Sequence, residues 1–355
     1  MSKPRVTVLL TCAASPMAVE AIQALQASRT LRVRVVGVDM DASGVGAQFA
    51  DAFYQVPAGQ DPAYVDRLLA ICRREGVRVI LPTSDEEALA LARAHARFNG
   101  AGVVCAAPRQ ELVELFLDKS RMYDYLTQRG VRVPRYTRVT TIAQLRAAAK
   151  RLGYPAKPFV IKPATARGGR GVWMIRSGGA SLRELMHGIS LDAISLEAFV
   201  ASAARAEALP PLVAMEYFSG DVFDVDLLGV HGTLRTAVPR RRFHPRTTPF
   251  RGCRIERHPA VLALAREVHQ ALALDFLHDV DIMLDARGKA HLLEINPRQS
   301  ASVITTVAAG LNLLEHVVRR ALDLDIPSVP VPYGVAVRPS VRTTCIRRNG
   351  HTDRA

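Results

Sequence analysis

The sequence is short of the residue patterns that build disulfides, zinc sites and membrane spans. Its five cysteines never form a C-x-x-C pair, and their odd number fits reduced thiols better than a disulfide framework. The histidines show no ligand spacing, so a zinc site is not expected. No apolar run is long enough to span a bilayer, and the N-terminus lacks the long apolar core of a signal peptide. These absences predict a cytoplasmic protein with no membrane partner.

Lysine is also scarce, although the chain is strongly basic. Only six of its 47 basic residues are lysines, and the formal net charge is +14. Such a charge alone suggests nucleic acid, but the aromatic residues that a single-strand binder places among its basic ones are missing. Seven arginines lie between Arg240 and Arg257, and this cluster better suits an acidic small molecule or nucleotide phosphates. We therefore expect small-molecule substrates and no nucleic-acid partner.

Strand and helix patterns alternate in the first third of the chain. Apolar runs at Val6–Leu10, Val33–Val38 and Val77–Leu81 are separated by helical patterns, which predicts a parallel, doubly wound sheet. Asp39 ends the second run, where a dinucleotide-binding fold places its ribose acid. The first turn, Thr11–Pro16, lacks the glycines that let a pyrophosphate approach the backbone. The prediction is a Rossmann-like shape that does not bind NAD.

A glycine-rich segment follows a strand that ends in a lysine. The predicted strand Phe159–Lys162 leads into Ala164–Gly171, and glycine there lets backbone N–H groups approach phosphate oxygens. The central part of this segment contains Arg167, Gly168, Gly169 and Gly171. An ordinary β-hairpin with a loose turn has the same pattern, so this segment alone leaves phosphate binding open.

A second segment, L-E-I-N-P-R, places two oxygen ligands on one face of a strand. Glu294 and Asn296 are two residues apart, so their side chains point the same way, and hard oxygen donors suit Mg²⁺. Asp281, on the preceding strand, can face the same site across the hairpin. Arg298, just past the strand, can fork onto a transferring phosphoryl group. The alternative is a half-exposed strand with a solvated acid.

Two further expectations concern the strands between these segments. Leu212–Phe218 and Val222–Val230 read as an antiparallel pair around a Ser-Gly turn. The basic cluster then follows a strand at Gly229–Val238. A bidentate guanidinium suits a carboxylate, so the candidates for binding an acidic substrate are Arg240, Arg242 and Arg251. A solvated basic loop is the alternative.

Together these segments resemble the ATP-grasp superfamily, and within it the stand-alone relatives of the carbamoyl phosphate synthetase large subunit and similar carboxylate–amine ligases. The resemblance runs from about Val6 to about Leu324. It implies an α/β fold, α+β in the grasp part, with a Rossmann-like N-terminal domain, a small lid and a C-terminal domain. The implied boundaries are residues 1–117, 118–211 and 212–337, followed by a basic, flexible tail at 338–355.

The resemblance also assigns roles to single positions. Lys119 and Lys162 match the two ATP-contacting lysines, and Met215–Phe218 resembles the hinge that meets adenine. The remaining ATP contacts would be Arg167, Gly168, Gly169, Gly171, Glu216, Tyr217 and Phe218. The matched metal ligands are Asp281, Glu294 and Asn296. Where the family often has an acid for the ribose, this sequence has Val222, so Asp224 or Asp226 is expected to take over that contact.

The implied activity is that of an ADP-forming C–N ligase. ATP would convert a substrate carboxylate into an acyl phosphate, which an amine then attacks, with Arg298 and Lys162 as catalytic residues. Mg²⁺ is the implied ion, with Mn²⁺ as its substitute, and a homodimer is common in the family. Two alternatives stay open: bicarbonate as the activated acid, giving a carboxylase or carbamoyl-type enzyme, and a non-catalytic ATP-binding accessory subunit.

Overall fold

The computed structural model describes residues 3–165, 170–178, 192–204, 208–245 and 250–340. Three β-sheets organise these residues. Within the described part, the cysteines are free thiols, and no helix is both long and apolar enough to cross a membrane.

The first sheet is parallel, with the strand order β3-β2-β1-β4-β5. Its strands are β1 (Arg5–Leu10), β2 (Arg32–Asp39), β3 (Ala52–Gln55), β4 (Val77–Leu81) and β5 (Val104–Cys105). Its helices are α1 (Pro16–Gln26), α2 (Tyr64–Glu75), α3 (Asp85–Arg93) and α4 (His95–Gly100), with a 3-10 turn at Val45–Gln48. The side chains of Ser15 and Ser84 accept hydrogen bonds at the N-termini of α1 and α3, which explains where these helices begin. The predicted parallel sheet is confirmed.

The second sheet has the order β6-β10-β7-β8-β9. Its strands are β6 (Tyr136–Val139), β7 (Phe159–Pro163), β8 (Trp173–Ile175), β9 (Asp192–Ile194) and β10 (Leu212–Glu216). The helices of this region are α5 (Gln110–Phe116), α6 (Lys119–Gln128), α7 (Ile142–Leu152) and α8 (Leu196–Ala203). Asp118 caps α6 through hydrogen bonds from Ser120 N and Arg121 N, so α6 begins at Lys119.

The third sheet is antiparallel, with the order β15-β14-β11-β12-β13-β16. Its strands are β11 (Val222–Val230), β12 (Thr233–Arg242), β13 (Cys253–Ile255), β14 (Phe276–Leu284), β15 (Ala290–Asn296) and β16 (Ala336–Val337). The helices that follow along the chain are α9 (Pro259–Leu272), α10 (Ile304–Ala308) and α11 (Leu313–Ala321). The strand predicted at Gly229–Val238 begins and ends later in the structure, because β12 runs from Thr233 to Arg242. The arginines at its end therefore belong to a strand and not to a loop.

The predicted hairpin around the Ser-Gly turn is wrong, because its two strands lie in different sheets. β10 pairs with β6 and β7, whereas β11 pairs with β12 and β14. Gly220 N donates to Leu284 O at 3.0 Å, and a Cβ at Gly220 would lie 2.6 Å from that oxygen. Ser219–Gly220 is thus a crossing between two sheets, held against the end of β14 at a distance that only glycine allows.

Two hydrophobic clusters connect the three sheets. One contains Val213 and Phe218 beside Val280 and Leu292, and so packs the second sheet's region against the third sheet. The other contains Val8 of β1 together with residues of β11 and α11, and joins the first sheet to the third. The third sheet therefore packs against both the first sheet and the region of the second sheet.

Candidate active site

The hairpin β14–β15 brings the predicted metal ligands together. Asp281 pairs with Glu294, and Asp279 pairs with Asn296. The register shifts after Asp281, because Ile282 pairs with Leu292. Leu293 is thus the extra residue of a β-bulge, a distortion that re-aims side chains and frees backbone groups. Asn296 is held in place by a hydrogen bond from its Nδ2 to Asp279 Oδ2 at 3.1 Å.

The two predicted ATP-binding lysines approach this hairpin from separate elements. Lys119, the first residue of α6, has its Nζ 3.3 Å from Glu294 Oε2. Lys162, on β7, donates to Leu293 O at 3.0 Å and to Tyr123 Oη at 3.2 Å. Tyr123 Oη donates to the same bulge carbonyl at 2.6 Å. Both lysines are buried, so two amino groups lie against one strand with little access to solvent.

Burial, together with the nearby charge of Lys119, lowers the pKa of Lys162 to about 7, and the acids Glu294 and Asp281 oppose the shift. A lysine with this pKa is mostly neutral at pH 8. A bound polyphosphate favours the charged form, so nucleotide binding at pH 8 should be accompanied by proton uptake, and this uptake should fade at pH 6. Binding heats in buffers of different ionisation enthalpy measure the uptake directly. Lys162→Met should lose it, and equal heats in all buffers at pH 8 would contradict the prediction.

The neighbouring strands β11 and β12 carry a buried network of charged side chains. Arg240 is fully buried, and its Nε lies 2.7 Å from Asp226 Oδ2. The same guanidinium donates to Ser300 Oγ at 2.8 Å and to Ser302 Oγ at 2.6 Å. Burial opposes the charge of Arg240, but the carboxylates of Asp226 and Asp224 raise its pKa overall. The proposed role of Arg240 as a substrate clamp does not fit this environment, because the guanidinium is enclosed by the protein's own acids and hydroxyls.

Arg242 lies two residues further along β12 and points at the metal-ligand candidates. Its Nε donates to Asp224 Oδ1 at 2.8 Å, and its Nη2 contacts the same oxygen. Nη2 also donates to Asp281 Oδ1 at 3.1 Å. The side chain is 9% exposed, so it borders the open part of the site, whereas Arg251 is exposed on the segment before β13.

The interpretation of Asp224 as a ribose contact also needs correction. Asp224 is buried, and Arg242 and Arg240 lower its pKa against the effect of burial. Asp224, Asp279 and Asp281 offer oxygen atoms that all lie within 4.8 Å of one another. Asp224 is therefore part of the acidic cluster beneath the metal-ligand candidates. Asp226, the other residue considered for the ribose, is fully buried against Arg240.

Arg298 connects the candidate site to the first sheet's region. Its Nε donates to Asp85 Oδ1, in the first turn of α3, at 3.1 Å. Its Nη1 donates to Gln299 O at 3.0 Å, and its Nη2 donates to Asn296 Oδ1 at 3.4 Å. The guanidinium is thus oriented by groups from two different parts of the chain and stays close to the L-E-I-N-P-R strand.

The hinge candidates line a cavity of about 520 Å³. Glu216, Tyr217 and Phe218 line it together with Lys157 and His291. Phe218 and His291 stack with ring centroids 4.0 Å apart. The carboxylate of Glu216 accepts hydrogen bonds from Arg135 N and Nε at 2.9 and 3.1 Å. The cavity adjoins the hinge but is not lined by Lys119 or Lys162.

Part of the predicted glycine-rich loop lies outside the described residues, namely Arg167, Gly168 and Gly169. Gly171 is described and has φ of +71°, a conformation that side chains other than glycine rarely adopt. A Cβ there would also lie 3.0 Å from Pro163 Cγ. The return from the loop to β8 therefore depends on a glycine at this position.

Asp39, at the position where a dinucleotide-binding fold has its ribose-binding acid, contacts the turn that follows β1. Asp39 Oδ2 accepts a hydrogen bond from Ala14 N at 2.9 Å, and Asp39 Oδ1 accepts one from Asp41 N at 3.0 Å. The carboxylate is thus engaged by the backbone of its own domain.

Sequence reasoning missed two residues at the centre of this site. Asp279 alternates with Asp281 in an Asp-Val-Asp pattern, and strand alternation was the signal that could have found it. Tyr123 follows Lys119 by four residues, one turn of α6, and that spacing places both on one helix face. Neither residue stands in a motif that the sequence makes conspicuous.

Comparisons with known proteins point to one superfamily. A family model described as ATP-grasp in the biosynthetic pathway with Ter operon matches residues 208–344. A model for the PylC-like N-terminal domain matches residues 8–106. The first of these models covers the third sheet together with β10, and the second covers most of the first sheet.

Curated relatives are much longer than this chain. The large chain of carbamoyl phosphate synthase from Thermomicrobium roseum is 25% identical over 303 residues, which cover 79% of this chain and 25% of that protein. The corresponding protein of Rubrobacter xylanophilus is 37% identical over 111 residues, or 31% of this chain and 10% of that protein. The chain thus spans a quarter or less of these relatives.

Solved structures share the fold over most of the chain. An N5-carboxyaminoimidazole ribonucleotide synthetase with ADP has a TM-score of 0.67 at 16% identity, covering 92% of this chain and 79% of that one. The biotin carboxylase domain of Hydrogenobacter thermophilus 2-oxoglutarate carboxylase, with MgADP and bicarbonate, gives 0.66 at 16%, covering 91% and 70%. An L-amino acid ligase from Bacillus licheniformis gives 0.63 at 16%, covering 90% and 75%. The sequence-based resemblance is thus confirmed: residues 208–344 match an ATP-grasp family model, and the chain is similar to the carbamoyl phosphate synthase large chain.

Proposed function

We propose that the protein is an ATP-dependent, ADP-forming ligase, which activates a carboxylate as an acyl phosphate and couples it to an amine. One observation carries this proposal. Lys119 and Lys162, two buried lysines from separate elements, meet the strand that presents Glu294 and Asn296 opposite Asp281. Cations beside hard oxygen donors suit a polyphosphate bound together with a divalent ion.

The residues present fit a magnesium ion. Asp281, Glu294 and Asn296 offer only oxygen ligands towards this point of the hairpin, which is the donor set that Mg²⁺ prefers. Beneath them, Asp279 Oδ1 is buried without a hydrogen-bond partner among the described residues. When bound, Mg²⁺, or Mn²⁺ in its place, would neutralise charge on the β- and γ-phosphates.

The chain's own side chains account for the rest of the reaction. Lys119 and Lys162 would bind the phosphates, and Arg298, oriented by Asp85, would stabilise charge on the transferring oxygens. Arg242 and Arg251 remain the candidates for binding the substrate carboxylate. The carboxylate attacks the γ-phosphorus, ADP leaves, and the amine then attacks the acyl phosphate and releases phosphate. The lid proposed at 118–211 would exclude water from that intermediate.

The comparisons support this class of reaction. Among the structures that share the fold are an L-amino acid ligase and a synthetase that was crystallised with ADP. Bicarbonate is the second candidate for the activated acid, because the biotin carboxylase neighbour was crystallised with MgADP and bicarbonate. Both candidates require the same cationic and metal-binding groups, so the site itself does not separate them.

The test is ADP formation from ATP and Mg²⁺ in the presence of paired acids and amines, with bicarbonate as one of the acids. We expect ADP release to depend on both an acid and an amine, with one phosphate released for each coupled product. Release that needs bicarbonate alone would favour the carboxylase alternative. Nucleotide binding without ADP formation under any combination would favour the accessory-subunit alternative.

A further inference from the structure

We propose that Arg242 makes the metal site selective for a metal–nucleotide complex over a free divalent cation. The proposal rests on the proposed function, since it takes Asp281 as a metal ligand. Arg242 is thereby a positioning and specificity-determining residue. Its guanidinium stays hydrogen-bonded to Asp281, one of the proposed metal ligands, until the nucleotide binds.

The first observation behind this proposal is the set of hydrogen bonds that Arg242 makes with Asp281 and its neighbours. Arg242 Nη2 donates to Asp281 Oδ1 at 3.1 Å, while its Nε donates to Asp224 Oδ1 at 2.8 Å. Nη1 donates to Pro245 O at 3.2 Å. The guanidinium is thus anchored on Asp224 and extends one N–H to the carboxylate that a metal would use. A divalent ion that binds Asp281 Oδ1 must either displace this hydrogen bond or remain next to the positively charged guanidinium of Arg242.

The balance of charge carries the second step. Five acids lie around the hairpin, namely Asp224, Asp226, Asp279, Asp281 and Glu294, and the basic side chains that contact or face them are Lys119, Lys162, Arg240 and Arg242. A free divalent ion would add positive charge beside Arg240 and Arg242 and would bring no anion with it, which is costly where solvent is scarce. A nucleotide polyphosphate brings the negative charge that offsets both the ion and the lysines.

The position of Arg242 relative to its neighbours carries the third step. Arg240, two residues earlier on β12, is fully enclosed with Asp226 and two serines, so it cannot reach Asp281. Arg241, between them, points to the other face of the strand and pairs with Glu256 at 2.8 Å. Arg242 is therefore the residue of this arginine run that touches a metal-ligand candidate while bordering the open part of the site. Anchored on Asp224, it can release Asp281 without leaving its place.

The experiment measures the affinity of the protein for Mn²⁺ in the absence of nucleotide. The electron paramagnetic resonance signal of the unbound ion reports how much Mn²⁺ is bound. Arg242→Gln removes a positive charge next to Asp281, so we expect Mn²⁺ to bind at least about tenfold more tightly than to the unchanged protein. Arg241→Gln is the matched control on the same strand and should bind Mn²⁺ as the unchanged protein does. Equal or weaker binding by Arg242→Gln, including no measurable binding, would overturn the proposal.

A second variant guards against loss of folding in the first, because Arg242→Gln leaves Asp224 without its main partner. The double variant Asp224→Asn, Arg242→Gln removes one buried charge of each sign and keeps Asp281, Glu294 and Asn296. It should bind Mn²⁺ more tightly than the single variant Asp224→Asn, because the two differ only in the charge of Arg242, and failure to do so would count equally against the role of Arg242. Binding of Mn²⁺ requires no turnover, so a protein that forms no ADP with any acid would refute the proposed function without deciding this test.

Discussion

Glu294→Gln is expected to lower the rate of ADP formation by about a thousandfold or more while leaving the protein folded. Charge stabilisation by a bound metal contributes several kcal/mol to a phosphoryl transfer, and about 1.4 kcal/mol corresponds to a factor of ten in rate. The neutral amide is a much poorer ligand than the carboxylate, and it also loses the ion pair with Lys119, whose Nζ lies 3.3 Å away. Steady-state ADP formation at several Mg²⁺ concentrations measures the effect.

The fold should survive this change because the side chain of Glu294 is 20% exposed and its ion pair is replaced by an isosteric polar group. Thermal melting checks this point. Glu256→Gln is the matched control, since Glu256 pairs with Arg241 on the opposite side of the basic run and should retain full activity. If Glu294→Gln keeps unchanged activity at limiting Mg²⁺, Glu294 is not a metal ligand.

Much of the fold could be read from periodicity and turn chemistry. The βαβ rhythm of the first third predicts the parallel sheet, because buried parallel strands are continuous apolar runs separated by helical patterns. β3 was not predicted, since Ala52–Gln55 is too short to show a period. The predicted hairpin failed for a different reason. A Ser-Gly pair is a turn signal, but it does not reveal whether the chain returns along the same sheet or crosses to another.

The candidate site was predictable where a motif lies on one strand and unpredictable where distant strands meet. Glu294 and Asn296 share a face because they are two positions apart on one strand, and β14 pairs Asp281 with Glu294 and Asp279 with Asn296. The arginines of β12 could not be placed from sequence. Whether Arg240 contacts solvent or Asp226 depends on which strand pairs with β12, and that pairing joins residues far apart in the chain. A run of arginines therefore looked like one basic loop, although its members face different surroundings.

Arg240→Met is the clearest test of that distinction, because it should destabilise the fold by about 3–5 kcal/mol, the typical cost of removing one partner from a buried ion pair. Arg240 and Asp226 are both fully buried, with Nε 2.7 Å from Oδ2, so the change leaves a carboxylate without its cation inside the protein. Arg241→Met removes an arginine whose side chain is 28% exposed and should cost no more than about 1 kcal/mol.

The double variant Arg240→Met, Asp226→Asn separates the ion pair from the loss of packing. If the cost of Arg240→Met comes from stranding the charge of Asp226, removing that charge should recover a large part of the stability, because a buried pair replaced as a whole is often nearly neutral. Urea denaturation of the unchanged protein, the single variants Arg240→Met and Asp226→Asn, and the double variant gives a complete double-mutant cycle. Coupling between contacting residues of this kind amounts to about 0.5–3 kcal/mol. Additive losses would mean that the two side chains contribute independently. In that case Arg240 stabilises the sheet through its contacts with Ser300 and Ser302, and the acidic cluster beneath the metal-ligand candidates does not depend on it.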